Sequence, residues 1–391
     1  MKPTLLITKF FPPEKGGIQS YLYNLVLELP KDKIYVITHW SPDESQRLSP
    51  AFAGTPKFPF KIYRVSFQSP LRYLHLTTFD LFFKARKIIK KHKIEKVLCG
   101  HLAIAGPIAY LIKKQYNIPY IIFTYGLDIF SVKNLSSQKQ KIFKKILQEA
   151  EKIVVIMDLM SEYLIREFQI VPEKIIKISP GVDSEFFKPG IADFSLRHWR
   201  ELKLANPGAK IILTCGRLVE RKNHISVIRA LPKIIKLISN VLYLIVGQGP
   251  EEKNLKNEVN HLNLQNYVKF LDEVPQEDLP RLYNLADVFV MPARDIPEQG
   301  DIEGFGVVFL EAAASGLPCI AGATSGQAEA IEDKKTGFLV NPENVNEIAD
   351  TILKLLKNPQ LAKQLGQAGR VRVVEKFNWK KQAEKLKKIL L

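Results

Sequence analysis

Short apolar runs and amphipathic stretches alternate along almost the whole chain. Thr4–Thr8, Lys33–Thr38, Lys96–Gly100, Tyr120–Thr124, Ile153–Met157 and Ile175–Ser179 are short, mostly apolar runs, as expected of strands buried on both faces. Between them, residues 18–29, 103–115 and 158–169 carry apolar side chains at helical spacing, which predicts helices. The alternation restarts with Ile211–Gly216, Leu242–Gly247, Tyr267–Leu271 and Val288–Pro292. Strand and helix alternating in two successive series predict an α/β chain with two doubly wound, Rossmann-like units. A length of 391 residues agrees, being too great for one ordinary core. The strand pattern breaks and turn residues cluster at Ser179–Gly190. The predicted domains are therefore 1–183 and 184–376, followed by a tail over 377–391.

Composition narrows the class. Hydrophobic residues at 46 % and charged residues at 25 % are ordinary for a globular protein. The net charge of +17 lies mostly in residues 1–183. Its densest part is Phe79–Lys96, where Leu81, Phe82, Phe83, Ile88 and Ile89 interleave at helical spacing with Lys84, Arg86, Lys87, Lys90, Lys91 and Lys93. Such a helix either meets an anionic membrane surface or packs on a sheet with its lysines in water, and the pattern alone leaves both open. No zinc-finger spacing or RNA-binding aromatic motif accompanies the charge, so no nucleic-acid partner is expected. Cys99, Cys215 and Cys319 are odd in number, far apart and placed at strand-like runs, which predicts buried thiols in a reducing compartment. The first apolar run is too short for a signal peptide, and no run approaches the roughly 20 residues of a membrane span. The expected location is cytoplasmic, with peripheral contact to the inner face of the plasma membrane as the extension that the basic charge suggests.

Four places carry candidate chemistry. In Glu298–Leu317 (EQGDIEGFGVVFLEAAASGL), Glu303 precedes a Gly304-Phe305-Gly306 turn and Glu311 follows eight positions later on an apolar helix, read as two turns in. The amides of Phe305, Gly306 and Val307 would open that helix and donate to a polar ligand, and a buried Glu311 needs donors such as a ribose diol. Gly16 and Gly17 follow the first strand at the start of a helix, where glycine permits close approach and the dipole favours a diphosphate. Arg217 and Lys222 follow the strand Ile211–Gly216, as two cations suited to a diphosphate leaving group. On the first domain, His101 and the turn Tyr125-Gly126-Leu127-Asp128 follow successive strands, where ligands of such sheets bind. Tyrosine cannot act as a base near neutral pH, so no general base is named. There is no D-x-D triplet and the seven histidines are scattered, so no metal or other cofactor is expected.

The E-G-F-G-x-x-x-x-E-A pattern at Glu303–Ala312, the downstream Ser315–Pro342 segment, G-R-L-x-x-x-K at Gly216–Lys222, Gly16-Gly17, the Gly-x-Gly-Pro loop at Gly247–Pro250 and Gly-Val-Asp at Gly181–Asp183 together resemble glycosyltransferase family 4. Its phosphatidylinositol mannosyltransferase-like branch is the most similar in feel. The resemblance implies a GT-B fold, with two Rossmann-like domains facing a cleft and a C-terminal helix (Trp379–Leu391) crossing back to the first domain. It implies a retaining hexosyltransferase that moves a sugar, mannose from GDP-mannose in that branch, from a nucleotide sugar to a lipid or glycan acceptor. By that resemblance Arg217, Lys222 and Glu303 are catalytic. Gly16, Gly17, Phe305, Gly306, Val307 and Glu311 bind the donor, with Glu311 on the ribose and Glu303 on the transferred sugar. The resemblance also implies that the turn Tyr125–Asp128 lies on the acceptor side, with His101 as a further candidate there. Two positions depart from the pattern: Asn223 stands where relatives have glycine, and Tyr125 where many have histidine. Alternative readings are a GT-B epimerase or phosphorylase, and a catalytically silent module that binds anionic membranes.

Overall fold

The computed structural model describes residues 1–12, 16–39, 58–65, 74–191, 207–272, 274–296, 301–324 and 326–391, with the side chains of 39 and 74–80 excepted. Pro13 of the expected first turn, Glu298 of the acidic loop and the Phe79 side chain lie outside the described residues. The chain forms two compact units, Met1–Pro180 with Trp379–Leu391, and Gly181–Asn378.

The first unit is a seven-stranded parallel sheet in the order β3-β2-β1-β4-β5-β6-β7. Its strands are β1 (Thr4–Ile7), β2 (Ile34–His39), β3 (Lys61–Val65), β4 (Lys96–Cys99), β5 (Tyr120–Phe123), β6 (Lys152–Val155) and β7 (Ile175–Lys177). β1, β4 and β5 are buried at every position, which accounts for their uninterrupted apolar runs. Lys96 is the exception: it lies 4 % exposed in β4, and its ammonium meets the Glu151 carboxylate at 2.6 Å. It therefore does not belong to the basic helix predicted over 79–96. That helix runs Leu74–His92 and stops at Lys93, which has a left-handed φ of 49°.

The second unit is a six-stranded parallel sheet, β10-β9-β8-β11-β12-β13. Its strands are β8 (Lys210–Cys215), β9 (Val241–Val246), β10 (Val268–Leu271), β11 (Val288–Met291), β12 (Cys319–Gly322) and β13 (Gly337–Val340). The strand order reverses between β1 and β4 in the first unit and between β8 and β11 in the second. These are the switch points where ligands of such sheets bind, beyond the carboxyl ends of the strands. All three cysteines are buried free thiols.

Both predicted boundaries move by a few residues. Gly181–Asp183 belongs to the second unit, because the Val182 amide donates to the Phe377 carbonyl at 2.8 Å and Val182 bridges Asn378. Asp183 Oδ1 then accepts the amides of Glu185 and Phe186 at 3.0 Å, closing the turn. Phe377 and Asn378 likewise stay with the second unit. The returning segment is the helix Trp379–Ile389 with the last two residues. Trp379 packs edge-on against Tyr21 at 5.9 Å, and the Lys2 amide donates to the Leu390 carbonyl at 3.0 Å.

Candidate functional site

In the second unit the loops after β8 and β11 converge on one carboxylate. Glu303 is 3 % exposed. Lys222 Nζ donates to its Oε1 at 2.7 Å and Arg221 Nε to its Oε2 at 2.9 Å. Arg221 also reaches Asp301 Oδ1 through Nη1 at 2.7 Å, so one planar guanidinium spans two acids, as the fork geometry of arginine permits. The Glu303 amide in turn donates to Asp295 Oδ1 at 2.9 Å. Burial pushes the Asp295 carboxyl above its ordinary range. Arg217, by contrast, is exposed and has no acidic partner among the described residues. The two expected phosphate ligands thus stand in different states: Arg217 is open, while Lys222 is committed to Glu303.

Local backbone geometry explains several sequence features. Asn223, the residue that replaces the expected glycine, has a left-handed φ of 56°, a conformation that glycine and asparagine adopt most readily. Its side-chain Nδ2 donates to the carbonyls of Pro292 at 3.0 Å and Pro342 at 2.8 Å, tying the β8 loop to those after β11 and β13. The Gly247-x-Gly249 pair packs against the Arg217 loop: a Cβ on Gly249 would sit 2.2 Å from the Leu218 carbonyl oxygen.

Gly306 caps the helix Val307–Ala314 at φ 72°. The Phe309 amide donates to the Gly306 carbonyl at 3.0 Å, the helix start leaves the Val307 and Val308 amides without intrahelical acceptors, and a Cβ on Gly304 would meet nothing within 4 Å among the described residues. Glu311 lies little more than one turn into this helix, not two, because the helix begins only at Val307. Its Oε2 accepts the Tyr283 hydroxyl at 2.8 Å, and burial pushes its carboxyl above the ordinary carboxylate range.

The expected first-unit residues gather beyond β1, β4 and β5. Gly16 caps the helix Gly17–Leu27, and a Cβ on Gly17 would meet nothing within 4 Å among the described residues. His101 opens the helix Leu102–Tyr116 and packs against Phe10 at 5.1 Å. The Tyr125 amide donates to Asp128 Oδ1 at 2.9 Å. His101 Nδ1, the Tyr125 hydroxyl and Asp128 Oδ2 are all buried without a hydrogen-bond partner among the described residues. Burial pushes the Asp128 carboxyl up and the His101 imidazole down, so each is drawn toward its neutral form.

Sequence reasoning passed over Arg221, Asp295, Asp301 and Tyr283. Arg221 stands beside the chosen Lys222 and was readable only as one more surface cation. Asp301 lies in the acidic loop two residues before Glu303 but outside its pattern, and Asp295 and Tyr283 lie on segments without a motif. The Thr324 hydroxyl, also buried and unpartnered among the described residues, was missed as well. No group of three or more His, Cys, Asp or Glu suited to a metal ion occurs among the described residues.

Two family patterns cover the chain: Glycosyltransferase Family 4 over residues 15–186, and Glycosyl transferases group 1 over residues 197–372. The chain is 30 % identical to a GDP-mannose-dependent alpha-(1-6)-phosphatidylinositol monomannoside mannosyltransferase of Mycolicibacterium smegmatis, over 99 % of this chain and 97 % of that protein. A monoacylated-acceptor counterpart from Corynebacterium glutamicum is 29 % identical over 100 % and 98 %. Among solved structures, Anabaena Alr3699/HepE in complex with UDP superposes with a TM-score of 0.80 at 19 % identity, covering 100 % of this chain and 99 % of that one. That last likeness speaks for the fold. With sequence and architecture in agreement over the full length, the chain belongs to glycosyltransferase family 4 and is a glycosyltransferase of the GT-B fold.

Proposed function

We propose that this glycosyltransferase moves mannose from GDP-mannose, with retention of configuration, to a hydroxyl of a phosphatidylinositol mannoside or a similar lipid-linked glycan. The observation that carries this reading is the full-length similarity to transferases of that name. The site geometry supports it. In this reading Arg217 serves the diphosphate, Glu311 the ribose, and Glu303 the sugar that becomes cationic as the glycosidic bond breaks. The acceptor hydroxyl bonds to the anomeric carbon, the bond from that carbon to the diphosphate oxygen breaks, and the released proton passes to the departing phosphate oxygen. No protein base is then required. Arg217 and Lys222 neutralise the leaving group in place of a divalent ion, so excess EDTA should leave the rate unchanged.

The test is incubation with GDP-mannose, UDP-glucose or ADP-glucose, each with and without a phosphatidylinositol mannoside, with the products resolved by mass and anomeric configuration. An α-mannosylated lipid formed from GDP-mannose alone is expected. Epimerised donor, or sugar phosphate formed with added phosphate, would replace this reading with the epimerase or phosphorylase one. A second element of the proposal is contact of the basic first unit with an anionic membrane, since the acceptor is a lipid. The helix Leu74–His92, exposing Phe83, Lys87, Lys90 and Lys91, is the element that the sequence pattern nominates. No helix among the described residues is long and apolar enough to cross a membrane.

A further inference from the structure

A second basic surface of the first unit lies away from the loops described above. The helices Leu102–Tyr116 and Ser137–Glu149 pack so closely that a Cβ on Gly106 would come within 3.2 Å of Ile146. Beside this contact opens a bowl of about 540 Å³ lined by Lys113, Lys141, Lys144, Lys145 and Lys174, with Gln148 and Glu149. Glu149 is its single carboxylate, and it is already taken: Lys113 donates to Oε2 at 2.9 Å and Lys114 to Oε1 at 3.2 Å. Among the described residues Lys174 reaches only the Gln148 carbonyl, at 2.5 Å, and Lys144 only the Gln169 side chain. Lys141 and Lys145 meet no acid among the described residues.

Ordinary helix electrostatics does not account for this charge. Cations are favoured in the last turn of a helix, and the dipole's effect fades beyond it. That covers Lys113 and Lys114, at the end of the helix Leu102–Tyr116, but not Lys141, Lys144 and Lys145, which lie four to eight residues before Glu149. Like-charged ammoniums held around one concavity repel, and an anion with several acceptor oxygens relieves that repulsion. One large apolar side chain stands on the helix that carries most of these lysines: Ile142, 56 % exposed, is one position from Lys141 and three from Lys145. Lysines beside an exposed aliphatic side chain suit the boundary between headgroups and acyl chains, where each element has a partner. A soluble phosphate would leave that side chain in water.

We propose that this bowl takes the phosphate of anionic phospholipid headgroups, with Ile142 dipping toward the acyl region, and that it is the main membrane contact of the first unit. The inference rests on the membrane element of the proposed function and moves that contact from the helix Leu74–His92 to the pair Leu102–Tyr116 and Ser137–Glu149. The experiment is co-sedimentation of the full-length protein with phosphatidylcholine vesicles, with and without phosphatidylglycerol, at low salt. Three proteins are compared: wild type, a Lys141→Gln/Lys144→Gln/Lys145→Gln/Lys174→Gln variant, and a Lys87→Gln/Lys90→Gln/Lys91→Gln variant. A basic residue near an anionic surface contributes on the order of 1 kcal/mol, so losing four should weaken binding by roughly a hundredfold or more. The helix variant should lose much less. Equal melting temperatures and equal GDP affinity for all three keep the comparison free of folding effects. An Ile142→Ser variant should also bind vesicles more weakly, which a purely ionic phosphate site would not show. Loss confined to the Leu74–His92 variant overturns the inference while leaving membrane contact standing. Unaltered binding by the Ile142→Ser variant, with free inorganic phosphate displacing the vesicles, makes the bowl a site for soluble phosphate and also overturns it. Absence of wild-type binding to phosphatidylglycerol vesicles removes the membrane element itself.

Discussion

Arg221 offers the sharpest test of how the site works, because its geometry assigns it to a carboxylate instead of to substrate. It makes two charge-assisted hydrogen bonds, to Glu303 at 2.9 Å and to Asp301 at 2.7 Å, and its side chain is 28 % exposed. A hydrogen bond to a charged group contributes about 1.5–3 kcal/mol. Arg221→Met keeps the aliphatic length but leaves Asp301 and Glu303 as neighbouring anions with only Lys222 to hold Glu303. If most of one such bond is lost in the transition state, about 2–3 kcal/mol, kcat falls roughly 30- to 150-fold. Arg221→Lys restores charge without the two-pronged geometry and should recover only part of that loss. GDP affinity should change less than about threefold, because the guanidinium is engaged by Glu303 and Asp301. The assay pairs steady-state mannosyl transfer with calorimetric binding of GDP, and circular dichroism confirms folding. If Arg221→Met binds GDP as poorly as Arg217→Ala does, Arg221 is a phosphate ligand and the positioning argument fails. Unchanged kcat would refute it equally.

Other expectations follow from the same coordinates. Lys222→Ala removes the cation on Glu303 Oε1 and the predicted leaving-group partner, so turnover should drop by about 2–4 kcal/mol, roughly 30- to 1000-fold, in a protein that folds normally; near-wild-type kinetics would exclude the role. Glu303→Gln should lower kcat with GDP affinity nearly unchanged, whereas Glu311→Gln should weaken GDP itself; equal weakening in calorimetry would merge the two roles. Glu311→Gln has a stability signature too. The native carboxyl titrates above its ordinary value of 4.5 because it is buried, so ionising it costs native stability as pH rises through that raised value. The variant should melt higher than wild type at neutral pH, with the difference vanishing below about pH 4.5; a lower melting point at neutral pH would contradict this. Gly249→Ala forces a Cβ to within 2.2 Å of the Leu218 carbonyl oxygen. It should cost about 2 kcal/mol, or roughly 4–8 °C in the melting temperature of a unit this size, and an unchanged melting temperature would refute the argument.

Much of this protein was determined by local sequence. Strands buried on both faces must be apolar throughout, so β1, β4, β5, β8, β9 and β11 are written as uninterrupted runs, and their alternation with helical spacing specifies two doubly wound sheets. The glycines of Gly304-Phe305-Gly306 and Gly16-Gly17, and the carboxylates at Glu303 and Glu311, could be placed from spacing because helix starts and tight turns demand particular residues. Other elements left weaker traces. β3 is a partly exposed edge strand, and β12 and β13 are four-residue strands containing glycine or alanine, which carry little strand preference. The turn at Gly181–Asp183 was legible, but its allegiance was not. That depends on one amide reaching the Phe377 carbonyl nearly two hundred residues away. The state of the site was likewise decided only by folding. Lys222 and Arg221 reach Glu303 across 81 and 82 positions, and Tyr283 reaches Glu311 across 28. Nothing local distinguishes these side chains from solvated neighbours, because a charge acquires a partner only when the sheet order brings the ends of β8 and β11 side by side. Propensity and periodicity act over a few residues, whereas the pairing of buried charges is set by which loops share a switch point.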